Sequence, residues 1–174
     1  RVLFGDVSPS GKLPVTFYNT LEELPDFTDY AMKGRTYRYM ENKAQFPFGY
    51  GLSYTDFEQK MGDVTVADGK VSFDVTVTNN GTAAGKDVVE VYYNPPYTNG
   101  GIEKASANLI DFAKTDVLQP GESQTINVSF SEEDMASYDT YGNGCYVLEA
   151  GDYEISINSD SHNTIASQTV SVAD

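Results

Sequence analysis

At 174 residues and 19.1 kDa the chain can bury one real core and carry an extension beyond it. With 40% hydrophobic and 21% charged residues, wholesale disorder is excluded, and 13 Tyr and 9 Phe without any Trp point to strands and aromatic surfaces. A formal charge of −15 argues against nucleic acid or anionic membrane as partner, because both need clustered Lys and Arg.

Residues 1–18 read as a loop and a short strand. Pro9-Ser10-Gly11 is turn chemistry, and Leu13–Tyr18 is β-rich, with Pro14 marking a strand start or an edge. One strand cannot form a domain, so its neighbours must come from the rest of the chain or from sequence beyond it. Arg1 in place of Met, before an apolar VLFG, reads as a cut from something longer. Residues 19–33 hold at most a helical turn before Pro25, then a polar linker.

Gly34–Tyr54, GRTYRYMENKAQFPFGYGLSY, follows neither a helical nor a strand period. Pro47 fixes one φ, while Gly49 and Gly51 permit conformations or approaches closed to other residues. The stretch is expected to lie as an extended aromatic strap against another surface. Arg35, Tyr37, Arg38, Tyr39, Phe48 and Tyr50 are the candidate junction residues. The two arginines can pair with carboxylates or stack on rings.

From Ser53 the pattern becomes regular. Asp68-Gly69 is a hairpin pair, and Val71, Phe73, Val75 and Val77 alternate with Ser72, Asp74, Thr76 and Thr78 as in a half-buried strand. Further strands are predicted over 87–93, 109–118, 124–130, 144–149, 152–158 and 164–172. Ser131 and Asp134 have the spacing of a capping box around one helical turn. About seven short strands with turn signals between them predict an all-β, antiparallel sandwich.

Candidate chemistry is sparse. Asp74, Glu90 and Glu154 are expected on polar strand faces, and Glu132, Glu133 and Asp134 in a charged turn, all as solvated surface. His162, the only histidine, reads as a loop residue, since no triad or paired metal ligand surrounds it. Cys145, the only cysteine, excludes an internal disulfide and is expected small, buried and inert. Tyr92, Tyr93, Tyr97, Tyr138, Tyr141 and Tyr146 could form a flat platform for pyranose rings, or close the edges of the core. No metal ligand set, phosphate loop or cofactor motif stands out, so no cofactor is expected.

KGRTYRY followed by FPFGYGLSYTDF resembles the domain junction of glycoside hydrolase family 3, the β-glucosidase and β-xylosidase family. LFGDVSPSGKLPVTF resembles the last strand region of that family's α/β sandwich domain. VTNNGTAAGKDVVEVYY, LQPGESQTINVSF and LEAGDYEISINSDS are similar to its fibronectin type III-like domain. The resemblance implies 1–18 as the end of the α/β sandwich, 19–52 as linker and junction strap, and 53–174 as the fibronectin type III-like domain. GNGCYVLEAGDYEISINSDSH most resembles members whose two halves are joined in reversed order.

In that family an aspartate nucleophile on a β/α barrel and a glutamate acid/base on the α/β sandwich hydrolyse terminal β-D-glucosyl residues with retention. Neither segment is present here, so the resemblance implies no catalytic residue and an inactive isolated chain. Its implied partners are the barrel and the α/β sandwich of a parent hydrolase, with a β-glucoside as the parent's substrate and a homodimer among the assemblies it could brace. The alternative is an independent β-sandwich module that binds carbohydrate or protein. Compartment is left open between the cytoplasm and secretion.

Overall fold

A computed structural model describes residues 1–173. Ten strands build the molecule: β1 (Phe57–Met61), β2 (Thr65–Ala67), β3 (Lys70–Asn79), β4 (Val88–Asn94), β5 (Asn108–Lys114), β6 (Ser123–Ser131), β7 (Ser137–Tyr138), β8 (Tyr146–Val147), β9 (Gly151–Asp160) and β10 (Asn163–Val172). One sheet has β1 and β2 in succession along one side of β3, with β6 on the other; the second runs β10-β9-β4-β5. All pairings are antiparallel. With β1 and β2 counted as one interrupted strand, seven strands form the sandwich that the sequence predicts.

The core lies between the sheets. Val71, Phe73, Val75 and Val77 of β3, with Val128 and Phe130 of β6, meet Val89, Val91 and Tyr93 of β4 and Tyr153, Ile155 and Ile157 of β9. Period-two alternation places these side chains on one face of each strand. Asp68 and Gly69 both have positive φ, 51° and 73°, so the β2–β3 hairpin closes as the Asp-Gly pair predicts. Ser131 accepts from Glu133 N, and Asp134 Oδ2 accepts from Ser131 N at 3.0 Å, completing the capping box of a 3₁₀ turn over Glu132–Met135.

Three expectations need correction. Leu13–Tyr18 is not a strand: Phe17 makes an isolated bridge to Phe46, and Leu13 exchanges hydrogen bonds with Tyr50 and Gly49. Its partner is therefore the strap of the same chain, at too few positions to form a ladder. The predicted strand over 144–149 shrinks to β8, which pairs only with β7 in a small outlying ribbon. The strap itself is not extended throughout, since Thr36–Tyr39 forms one helical turn, α1. The short 3₁₀ turn at Leu21–Glu23 falls where the sequence allows one.

Candidate functional site: the strap on the outer sheet face

β4 is buried on both faces. Its inward side chains fill the core, while Val88, Glu90 and Tyr92 point outward and are buried as well. On β9 the outward-facing Ser156, Asn158 and Asp160 are likewise buried. Over Glu90 and Tyr92 the cover is the aromatic strap.

Contacts along its length pin it. Tyr37 stacks on Phe48 with centroids 4.2 Å apart and meets Tyr92 edge-on at 6.3 Å. Ser161 N donates to Phe48 O at 2.9 Å, and His162 Nε2 lies 3.2 Å from Met40 O. A carbonyl only accepts, so Nε2 carries the proton and Nδ1 accepts from Ser161 Oγ at 3.1 Å. At the far edge, Arg38 donates to Asn108 Oδ1 at 2.7 Å, and Ser106 donates to Arg38 O through both its N and its Oγ. Lys12 adds a bond from the N-terminal segment to Ser159 O, 3.0 Å.

Gly49 lies directly over the Glu90 carboxyl. It has φ 83°, and a methyl group there would overlap Glu90 Oε1 and Oε2, so only glycine lets the chain pass. Glu90 is 3% exposed and accepts from Tyr92 Oη at 2.8 Å. Burial pushes its carboxyl up to about 7, against the pull of the Tyr92 hydrogen bond and the Lys12 charge, with Asp160 and Asp87 adding to the rise. The same burial, together with the Glu90 charge, drives the Tyr92 phenol upward.

Alternation alone puts Glu90 on a solvated face, whereas the structure buries it. Alternation told correctly that it points away from the core; nothing local told that a segment forty residues earlier covers that side. The related carboxylates behave as expected: Asp74 and Glu154 are exposed, and Asp74 accepts from Asn127. Although its affinity for a proton would suit a general acid, Glu90 is sealed beneath Gly49 and cannot touch a sugar.

Of the junction candidates, Tyr37 and Phe48 form the stack and Arg38 the clip, and Tyr50 packs on Phe46 at 5.3 Å. Tyr39 lies under the Arg38 guanidinium, 6.0 Å from its ring centre. Arg35 reaches only Asp29 O. Neither arginine pairs with a carboxylate, since the ion pairs among the described residues are Lys60–Glu58 and Lys104–Glu149.

The tyrosines do not make one platform. Tyr92 is under the strap, Tyr93 in the core, and Tyr138 and Tyr146 meet edge-on in the outlying ribbon. Tyr97 and Tyr141 share with Tyr39 an open groove of about 890 Å³ between residues 31–41 and the β4–β5 loop. Cys145 is exposed, not buried, because its ribbon stands clear of the sandwich. Among the described residues no cluster could hold a metal ion, and no helix is long and apolar enough to cross a membrane.

A seven-strand antiparallel sandwich carrying a preceding segment across its outer face is an accessory domain of the fibronectin type III-like class. Residues 87–161 match the fibronectin type III-like domain, and residues 1–54 the glycosyl hydrolase family 3 C-terminal domain. The chain belongs to glycoside hydrolase family 3.

It is 38% identical to beta-glucosidase A of Butyrivibrio fibrisolvens, over 94% of this chain and 24% of that protein. It is 42% identical to a xylan 1,4-beta-xylosidase of Xylanibacter ruminicola, over 88% of this chain and 17% of that protein. The solved beta-glucosidase from Kluyveromyces marxianus in complex with glucose superposes with a TM-score of 0.87 at 32% identity, covering 99% of this chain and 22% of that one. Beta-glucosidase 3B from Thermotoga neapolitana in complex with glucose gives 0.85 at 35%, covering 99% and 26%. The chain thus spans between 17% and 26% of the length of these relatives.

Proposed function

We propose that this chain is the non-catalytic bracing portion of a retaining β-glucosidase whose catalytic residues lie outside it. In this reading residues 1–18 complete an α/β sandwich domain, 19–52 form the linker and junction strap, and 53–174 are the fibronectin type III-like brace. The observation that carries it is the two-sidedness of the first 54 residues. One side is locked to the sandwich, while Leu3, Phe4, Leu21, Phe27 and Tyr30 stand exposed, Phe27 at 92%. An independent binding module gains nothing from such a surface, whereas a brace uses it to seat the neighbouring catalytic domains. The β-glucosidase assignment follows the names of several relatives, with a β-glucoside as the substrate of the whole enzyme.

An antibody against this chain, used on an extract of the source cells, should mark a polypeptide several times larger than 19.1 kDa. Hydrolysis of a chromogenic β-glucoside should co-purify with that band, while the isolated chain shows none. A band at 19.1 kDa without activity would overturn the assignment and favour a free binding module.

A further inference from the structure

Glu90 has a partner waiting across the ladder. In the β4–β9 register it stands opposite Asn158, and directly opposed side chains leave the sheet on one face with Cβ atoms about 4.5–5.5 Å apart. Asn158 is buried, and its Oδ1 has no hydrogen-bond donor. An ionised Glu90 has no donor to offer that oxygen, and could pair with Asn158 only by accepting from Nδ2 after the amide turns. A protonated Glu90 supplies the missing O–H while still accepting from Tyr92 Oη.

The charges that face Glu90 do not supply a compensating ion pair. These are Asp87 just before β4 and the phenol of Tyr92 on it; at the end of β9, Asp160; in the N-terminal segment, Lys12. Tyr37 of the strap touches Tyr92, and the β5 neighbour, Phe112, is neutral. Lys12 spends its ammonium on Ser159 O and makes no ion pair with Glu90 among the described residues.

We propose that Glu90 is a proton-operated latch for the strap: docked under Gly49 it is protonated and donates to Asn158 Oδ1, and its ionisation releases Phe46–Gly51 from the sheet. The latch acts within this chain and does not depend on which sugar the parent enzyme cleaves. The sign follows from linkage. The docked state holds the proton more tightly than the released one, so docking is strongest below the ordinary glutamate value of 4.5, weakens as pH rises to about 7, and is level beyond.

The test is amide exchange on the full chain between pH 5 and 8, above the isoelectric point near 4.2, corrected for the intrinsic pH dependence of exchange. The amide to follow is that of Ser161, whose hydrogen bond to Phe48 O joins the sandwich to the strap. Its protection should fall about five- to sevenfold per pH unit from 5 to 7, roughly fortyfold in all, then level off. In Glu90→Gln, whose amide can both accept from Tyr92 and donate to Asn158, that slope should vanish. Protection that is flat in the parent chain, or equally steep in Glu90→Gln, would overturn the latch. Should the variant misfold, carbon-13 detection of the Glu90 carboxyl decides: a midpoint near 4.5 overturns the proposal, and one near 7 upholds it.

Discussion

Asn79 is fully buried, and its side-chain amide uses every hydrogen bond available to it. Nδ2 donates to Ala83 O and Leu118 O, at 2.8 and 2.9 Å, and Oδ1 accepts from Thr55 Oγ1 and Gly81 N, at 2.7 and 3.1 Å. It ties together the end of the strap, the β3–β4 turn and the β5–β6 connection. Asn79→Ala would strand these four groups and should cost about 3 kcal/mol or more, read as a lower urea midpoint at unchanged slope. Gly49→Ala combines a left-handed backbone with overlap on Glu90, so it should destabilise strap docking by about 3 kcal/mol. The protected amide of Ser161 should then exchange freely while those of β3 and β6 keep their protection. At this scale the sequence shows residue types but not their cover. The left-handed Gly49 was foreseeable as a glycine, whereas the carboxyl beneath it was not.

At the scale of elements, β3 and β4 teach opposite lessons. β3 alternates in sequence because one face meets the core and the other meets water, so its burial could be read directly. β4, VVEVYYN, is buried at its first six positions because a second layer covers it, and that layer comes from a remote segment. Alternation within a strand reports which side is the core, never whether the other side is covered. The strap was legible as an aromatic, glycine-punctuated surface-binding stretch, and its single helical turn was not. Its hold depends on the Tyr37–Phe48 stack against Tyr92. Phe48→Ala should weaken strap docking by about 2 kcal/mol, seen as faster exchange at Ser161 without loss of the sandwich core.

For the molecule as a whole, 14 of the 22 exposed large hydrophobic residues lie in the first 54 positions, so the apolar surface is concentrated on one segment. The folded chain should therefore bind a hydrophobic dye such as anilinonaphthalene sulfonate. Replacing Leu3, Phe4 and Phe27 together by Ser should at least halve that fluorescence. Because these side chains are exposed, each substitution should leave the urea midpoint almost unmoved, within about 0.5 kcal/mol. A large loss of stability would mean that the three side chains support this chain itself rather than a surface for a neighbour.

The bond from Lys12 to Ser159 joins residues 147 positions apart, and Phe48 waits on Ser161. On the ribosome the aromatic strap therefore leaves the exit tunnel well before the strand it must lie on. At about 5–20 residues per second, the 113 residues from Phe48 to Ser161 correspond to roughly 6–23 s during which these rings have no resting place. The junction is among the first parts of this segment to be made and among the last that can be closed.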